Sequence, residues 1–430
     1  MTLRLSKSFT EGTHRSVPPE ATYRRIAPLF EKVGITRLAD ITGLDKIGVP
    51  VFNAIRPDSR SLSVSQGKGI ARPQARVSAA MESIELYHAE TIEAEIRRTS
   101  YRELLEAGEP AVDPIELHLL ASESDGACRE IAWIEGYDLI QERATWVPFH
   151  VVCCDLVPET LQDSLFMVSS NGLASGNHRL EAISHAICEV IERDATALHD
   201  GEVDRLGQEP NLVDLQTIAC PHCRELLSRL EAAGLKTYLW DQTVDVAVPS
   251  FGCAISEASD QPLWADLGTF HGFGCHVSKD IAVSRALTEA IQSRLTYISG
   301  ARDDLFREDF ALMQSDRHNA RWTAVLGDAE AHIDYRGLPS FKSASLEDDI
   351  AVQLNALSKA GFGQVVITDL TKPSLGIPVV RATIPGMIES LDSSVPNIAE
   401  RVRSFRLRAQ MVSALLSGDL PPASAPSGRR

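Results

Sequence analysis

The stretch SSNGLASGNHRLEAISHAICEVIERDA, Ser169 to Ala195, joins a glycine-rich turn to a helix that carries Glu181, Glu189 and Glu192 on one face. At roughly 100° per residue these three fall near 0°, 80° and 20°, while Ile183, Ala186, Ile187, Val190 and Ile191 take the opposite side. Carboxylates gathered this closely repel one another unless a cation sits among them. On its own the segment has two readings: an amphipathic helix with a solvated acidic face, or one wall of a cation site.

Two further segments have the same form. SLSVSQGKGIARPQARVSAAMESIELYHAETIEAEI runs from a glycine loop into a long helix with Pro73 near its start, and Glu82 and Glu85 lie three residues apart on it. GFGCHVSKDIAVSRALTEAIQSRLTYISGARDD gives another glycine turn and helix. On that helix Arg285, Glu289 and Gln292 share about one stripe, whereas Arg285 and Glu289 alone could be an i,i+4 surface pair. The three segments align too loosely to be a sequence repeat. If the helices converge, one site holds Glu82, Glu85, Glu181, Glu189, Glu192 and Glu289 with Lys68, Arg193 and Arg285. So many carboxylates need divalent cations, and all-oxygen ligands favour Mg²⁺ or Ca²⁺ over zinc. Magnesium shares itself with phosphates, and arginine and lysine bind phosphate oxygens, so a nucleoside triphosphate satisfies both sets of groups. The usual phosphate signatures are missing: there is no G-x-x-x-x-G-K-[ST], GFGCHV lacks the third glycine of a dinucleotide fingerprint, and the kinase motifs are absent.

The rest of the chain bounds the class. It has 430 residues, 44% of them hydrophobic, enough for a large core and two or three domain-sized units. Its formal net charge of −17 argues against a broad nucleic-acid footprint. Neither a signal peptide nor an apolar run of membrane length is visible, so no membrane partner is expected and the cytoplasm is the expected location. VPVFNAI, REIAWIEGYDLI, TWVPFHVVCCDLV, SLFMVSS, KTYLWDQT, VAVPSFGCAI, PLWADLGTFHG, VVITDL and IPVVRATIPG read as strands between helices, an α/β chain of mixed α+β type. The expected division is a preliminary unit over 1–59, a main domain over 60–400, and a helix with a proline- and serine-rich tail over 401–430. Most of the eight cysteines sit in apolar surroundings as free thiols, and the exception is Cys220-Pro-His-Cys223. It has the form of a redox pair or half a zinc site, but it lacks further ligands and a preceding strand.

Taken together, SQGKGIARPQARVSAAMESIE, GLASGNHRLEAISHAICEVIERDA, RALTEAIQSR and GIPVVRATIPG, in this order and separation, resemble the YcaO family over residues 60 to about 390. The resemblance implies a YcaO-type fold, with sheets flanked by helices and an ATP site between the glutamate-bearing helices. It implies Mg²⁺ ligands at Glu82, Glu85, Glu181, Glu192 and Glu289, and ATP contacts from Lys68, Asn177, Glu181, Glu189, Arg193, Arg285 and Gln292. Where some relatives have a serine three residues before the asparagine this chain has Ala174, with Ser175 beside it, which puts a hydroxyl contact in doubt. The implied activity is ATP-dependent activation of a peptide backbone amide: a nucleophile adds to the carbonyl, the oxyanion takes the γ-phosphoryl group, and phosphate departs. No general base is identified, and His185 and His276 are each equally readable as structural.

The nucleophile separates two products. A substrate Cys, Ser or Thr side chain gives an azoline, and an external sulfide equivalent gives a thioamide. Azoline-forming relatives commonly end in P-x-P-x-P or carry a leader-peptide-binding domain, whereas this chain ends in PPASAPSGRR and shows no such domain. Together with ATYRRIAPLFEKVGITRLADITGLD near the start, this looks closer to members that form thioamides with a TfuA-like partner. The other readings are an azoline-forming cyclodehydratase and a non-catalytic accessory factor in methylthiolation of a ribosomal protein. The resemblance also implies a homodimer.

Overall fold

The computed structural model describes residues 4–117, 128–162, 164–206, 210–257, 267–313, 315, 330–389, 401, 402 and 405, with the backbone alone for 201–206. The proline- and serine-rich end and most of the helix expected beyond residue 401 lie outside the described residues. Twelve strands, paired antiparallel, form three sheets among the described residues. The first sheet is β1 (Arg37–Asp40), β2 (Val51–Ile55) and β3 (Val64–Lys68), in that order. The second, in the order β10-β9-β8, uses β8 (Leu235–Asp241), β9 (Ser250–Glu257) and β10 (Thr269–Cys275). The third has the order β4-β5-β11-β12-β7, with β6 also paired to β5. Its strands are β4 (Ile96–Ser100), β5 (Glu130–Asp138), β6 (Arg143–Pro148), β7 (Leu173–Ser175), β11 (Val366–Asp369) and β12 (Val379–Thr383).

Among the described residues six helices of at least eight residues pack on these sheets: α1 (Pro19–Ile26), α2 (Arg72–Glu90), α3 (Arg179–Leu206), α4 (Pro221–Ala232), α5 (Lys279–Ser299) and α6 (Leu346–Lys359). The apolar side of α3 is placed as its periodicity requires. Ile183, Ala186, Ile187, Val190 and Ile191 are buried with Val380, Ala382 and Ile384 from the β12 region and Ile350 and Leu357 of α6. Gln353 of α6 secures the contact by donating to the Ser184 carbonyl at 3.0 Å. A second core joins α4 and α5 to the β8–β10 sheet through Leu226, Leu230, Leu239, Phe251, Phe270 and Leu287.

Two glycine segments expected as a loop and a turn are strands. Gly67 lies on β3, and a Cβ there would stand 1.9 Å from the Ala79 nitrogen and 2.4 Å from the Ala75 carbonyl oxygen. Gly272 on β10 repeats the device against Ala290 and Ala286 of α5, at 2.1 and 2.4 Å. These glycines let a helix backbone lie directly on a strand, so they serve close packing rather than a turn. The end of each strand is thereby held against the helix that follows it. SLFMVSS forms none of the twelve strands, and TWVPFHVV ends its strand at Pro148 and continues as a helical turn over Phe149–Val152. Phe166 is still buried, at 1% exposure, so the apolar run reported burial and not extension. β1 and β2, before residue 59, share a sheet with β3, after it.

Candidate active site

All eleven residues singled out from the glutamate-bearing segments line one cavity of about 650 Å³. Three strand ends feed it. Lys68 closes β3 and Glu82 and Glu85 follow on α2; Ser175 closes β7, followed by Asn177 and then by Glu181, Glu189, Glu192 and Arg193 on α3. β10 is followed by Arg285, Glu289 and Gln292 on α5. The helix starts are fixed locally: Pro73 stands in the first turn of α2, and the Gln74 side chain accepts from the Ala71 amide at 3.0 Å.

The acidic face of α3 is therefore not a solvated one, since Glu181 and Glu192 are 1% and 3% exposed. Backbone donors hold several of the carboxylates in place. Glu181 accepts from the Asn177 amide at 2.8 Å and from the Ser16 amide, and Glu192 accepts from the Cys275 amide at 2.8 Å. Glu85 accepts from the Ser175 amide at 2.9 Å and from its hydroxyl. The hydroxyl beside Ala174 thus does reach the site, through a glutamate. Glu289 pairs with Lys68 at 2.9 Å rather than forming a surface pair with Arg285, whose guanidinium lies 3.9 Å from Glu192.

Burial sets the protonation of this set. It pushes Glu85 up to about 8, against the hydrogen bonds from Ser175, and Glu82 to about 7, against the charge of Lys68. Glu189 rises to about 7 for the same reason, against Arg193, and burial raises Glu192 as well. At Glu289 burial acts upward too, but Lys68 and Arg193 outweigh it and hold the carboxylate below its ordinary range. His185 lines the cavity, and burial with the charges of Arg285 and Arg15 holds it well below its usual value, so it is neutral near pH 7. His276 lies outside the cavity lining; its ring meets His14 edge to face with centroids 5.0 Å apart.

The donor set fits a hard divalent cation with phosphate. Six glutamates offer only oxygen, and those that ionise reluctantly are the ones a cation would stabilise on binding. Arg285 Nε and Gln292 Oε1 are buried without a hydrogen-bond partner, polar groups available to a ligand in the same cavity. Residues in and before α1 complete the wall. Arg15, Val17 and Thr22 line the cavity, and the Thr22 hydroxyl donates to the Asn177 side-chain oxygen at 2.9 Å. Arg15 lies among Glu181, Arg285 and Glu85, with burial lowering its pKa first. Sequence reasoning missed it because it sits in an irregular segment, where no periodicity marks a residue that faces inward.

Comparison with known proteins agrees with this geometry. Residues 66–388 match the family model described as YcaO cyclodehydratase, ATP- and Mg²⁺-binding. An uncharacterized protein of Methanothermobacter thermautotrophicus is 33% identical over 403 residues, covering 91% of this chain and 99% of its own. A Rhizobium leguminosarum protein described as lying in the tfuA 3′ region is 32% identical over 399 residues, covering 89% of this chain and 91% of its own. The fold is similar to that of YcaO from Methanopyrus kandleri bound with AMPPCP and Mg²⁺, with a TM-score of 0.71 at 24% identity over 91% of this chain and 97% of that one. It is also similar to a heterocyclase in complex with substrate and cofactor, with a TM-score of 0.73 at 22% identity over 93% of this chain and 57% of that one. Among the described residues no helix is long and apolar enough to cross a membrane. The chain belongs to the YcaO family and is an ATP-dependent enzyme whose cofactors are ATP and Mg²⁺.

Proposed function

We propose that this enzyme activates a peptide backbone amide by O-phosphorylation and, with a TfuA-like partner and an external sulfur source, converts it to a thioamide. In this reading Glu82, Glu85, Glu181, Glu192 and Glu289 hold Mg²⁺. Lys68, Asn177, Glu181, Glu189, Arg193, Arg285 and Gln292 hold the nucleotide. Bound Mg-ATP supplies the phosphoryl group that turns the amide oxygen into a leaving group. The chain's own residues position and neutralise: Lys68 and Arg285 offset charge at the phosphates, and the buried carboxylates fix the metal ions in a partly desolvated cavity. Arg15, outside the family-matched residues, adds a cationic group to Lys68, Arg193 and Arg285 in the cavity lining. The catalytic unit is residues 60–400, acting as a homodimer in the cytoplasm; the segment before it adds Arg15 and Thr22 to the cavity wall and β1 and β2 to the first sheet, and 401–430 is an extension.

The observation that carries the nucleotide site is the convergence of six glutamates with Lys68 and Arg285 in one cavity. The thioamide branch is supported by the relative in the tfuA 3′ region. Azoline formation is the second reading, favoured by the fold likeness to the heterocyclase and to the E. coli microcin synthetase McbBCD complex, the latter with a TM-score of 0.60. The test is a reaction of the purified chain with Mg-ATP, a candidate peptide, sulfide and a TfuA-like protein, read by peptide mass. Exchange of oxygen for sulfur supports the thioamide, loss of water supports the azoline, and no ATP consumption under any of these conditions contradicts amide activation.

A further inference from the structure

The Cys220-Pro-His-Cys223 segment is not part of the nucleotide cavity, and its two thiols differ in exposure. Cys220 is the N-cap of α4, a helix of 12 residues, with Pro221 in the first turn. Cys220 is partly exposed and Cys223 is fully buried, at 0%. Cys223 stands at the third position of the same helix, so its side chain and that of the N-cap Cys220 share the first turn. The Cys223 thiol donates to the Asp280 carbonyl oxygen at 3.4 Å. Thus one sulfur can be reached from solvent, and a second lies buried in the first turn of the same helix.

We infer that Cys220 and Cys223 form a reversible dithiol–disulfide centre that exchanges with low-molecular-weight disulfides, Cys220 attacking and Cys223 resolving. The Cys220 thiolate attacks one sulfur of a disulfide R–S–S–R; a Cys220–S–S–R bond forms and RS⁻ leaves. Cys223 then attacks the Cys220 sulfur, closing the Cys220–Cys223 disulfide as the second RS⁻ departs. The two protein thiols are oxidised, the small disulfide is reduced to two thiols, and both thiol protons end on the departing groups.

The electrostatics favour this division of labour. The neighbouring Cys223 brings Cys220 down to about 6, with burial and the nearby Asp280 carboxylate opposing. Hydrogen bonding to Cys220 and burial push Cys223 far up. Tyr335 also faces the pair, and its hydroxyl donates to Asp280 at 2.6 Å.

The test is pulsed alkylation of the unaltered full chain at pH 6, followed by site-resolved mass analysis. Relative to a thiol at 9.0, one at about 6 holds about 500-fold more thiolate at that pH and loses about 20-fold in nucleophilicity, a net gain of about 20-fold. Cys220 is therefore expected to react about tenfold or more faster than Cys128, which is exposed. With excess glutathione disulfide the unaltered chain is expected to lose two hydrogens at this pair, and Cys223→Ala to retain one glutathione on Cys220. Alkylation of Cys220 no faster than of Cys128, or a chain that keeps both thiols in excess glutathione disulfide, overturns the proposal. Both of these readouts use the unaltered chain, and neither depends on nucleotide binding.

Discussion

Three half-buried, cavity-lining carboxyls near neutrality make nucleotide binding depend on pH in a definite direction. Without a cation, the folded chain holds Glu85 up to about 8 and Glu82 and Glu189 up to about 7, against an ordinary 4.5. The unliganded protein is therefore partly protonated at pH 6.5, and binding Mg-nucleotide must expel those protons. Since protons are released, affinity rises with pH and levels off above about 8. Moving from pH 6.5 to 8.0 removes roughly 1.6 kcal/mol of opposition at Glu85 and roughly 0.8 kcal/mol at each of the other two. Glu85 alone thus gives about 15-fold in affinity, and the three acting independently about 200-fold. Comparing bound with free protein cancels groups that titrate identically in both, including Cys220 outside the cavity. The assay is titration of a non-hydrolysable ATP analogue with magnesium in excess, at both pH values and in two buffers of different ionisation enthalpy. An affinity that is flat or falls across this interval, with no proton released, would refute the reasoning.

Three further outcomes follow from the same contacts. Glu192→Gln keeps an acceptor for the Cys275 amide but removes a charge facing Arg285; ATP consumption in the presence of peptide should fall at least about a hundredfold with an unchanged circular dichroism spectrum. Lys68→Ala removes the 2.9 Å partner of Glu289, and the KM for ATP should rise about tenfold or more, with any rise under twofold counting against a phosphate-side lysine. Gly272→Ala would drive a methyl group to 2.1 Å from the Ala290 nitrogen, so thermal unfolding should show a loss of about 3 kcal/mol or more; an unchanged Tm would mean that β10 and α5 are not in direct backbone contact.

The site was more legible in the sequence than the fold around it. Glu181, Glu189 and Glu192 share a face by periodicity alone, and the structure keeps that face together and buries the apolar side of the same helix. Periodicity could not say whether the acids met water or one another, because that depends on where α2 and α5 lie. The motif spacing answered through resemblance what local pattern could not. Gly67 and Gly272 misled for a physical reason: glycine marks a turn in many chains, but here it removes the side chain that would keep strand and helix apart. Arg15 was out of reach for another reason, and Ser175 was legible only as a doubtful hydroxyl beside Ala174. Their place in the wall comes from tertiary packing of irregular or very short segments, which leave no periodic trace.

The most direct test is a crystal structure of the chain grown with AMPPCP and Mn²⁺ in place of Mg²⁺, with anomalous differences recorded for the metal. The account predicts manganese peaks within bonding distance of glutamates from α2, α3 and α5, with the nucleotide phosphates facing Lys68 and Arg285. A nucleotide bound outside this cavity, or a cavity with nucleotide but no metal on those glutamates, would contradict it.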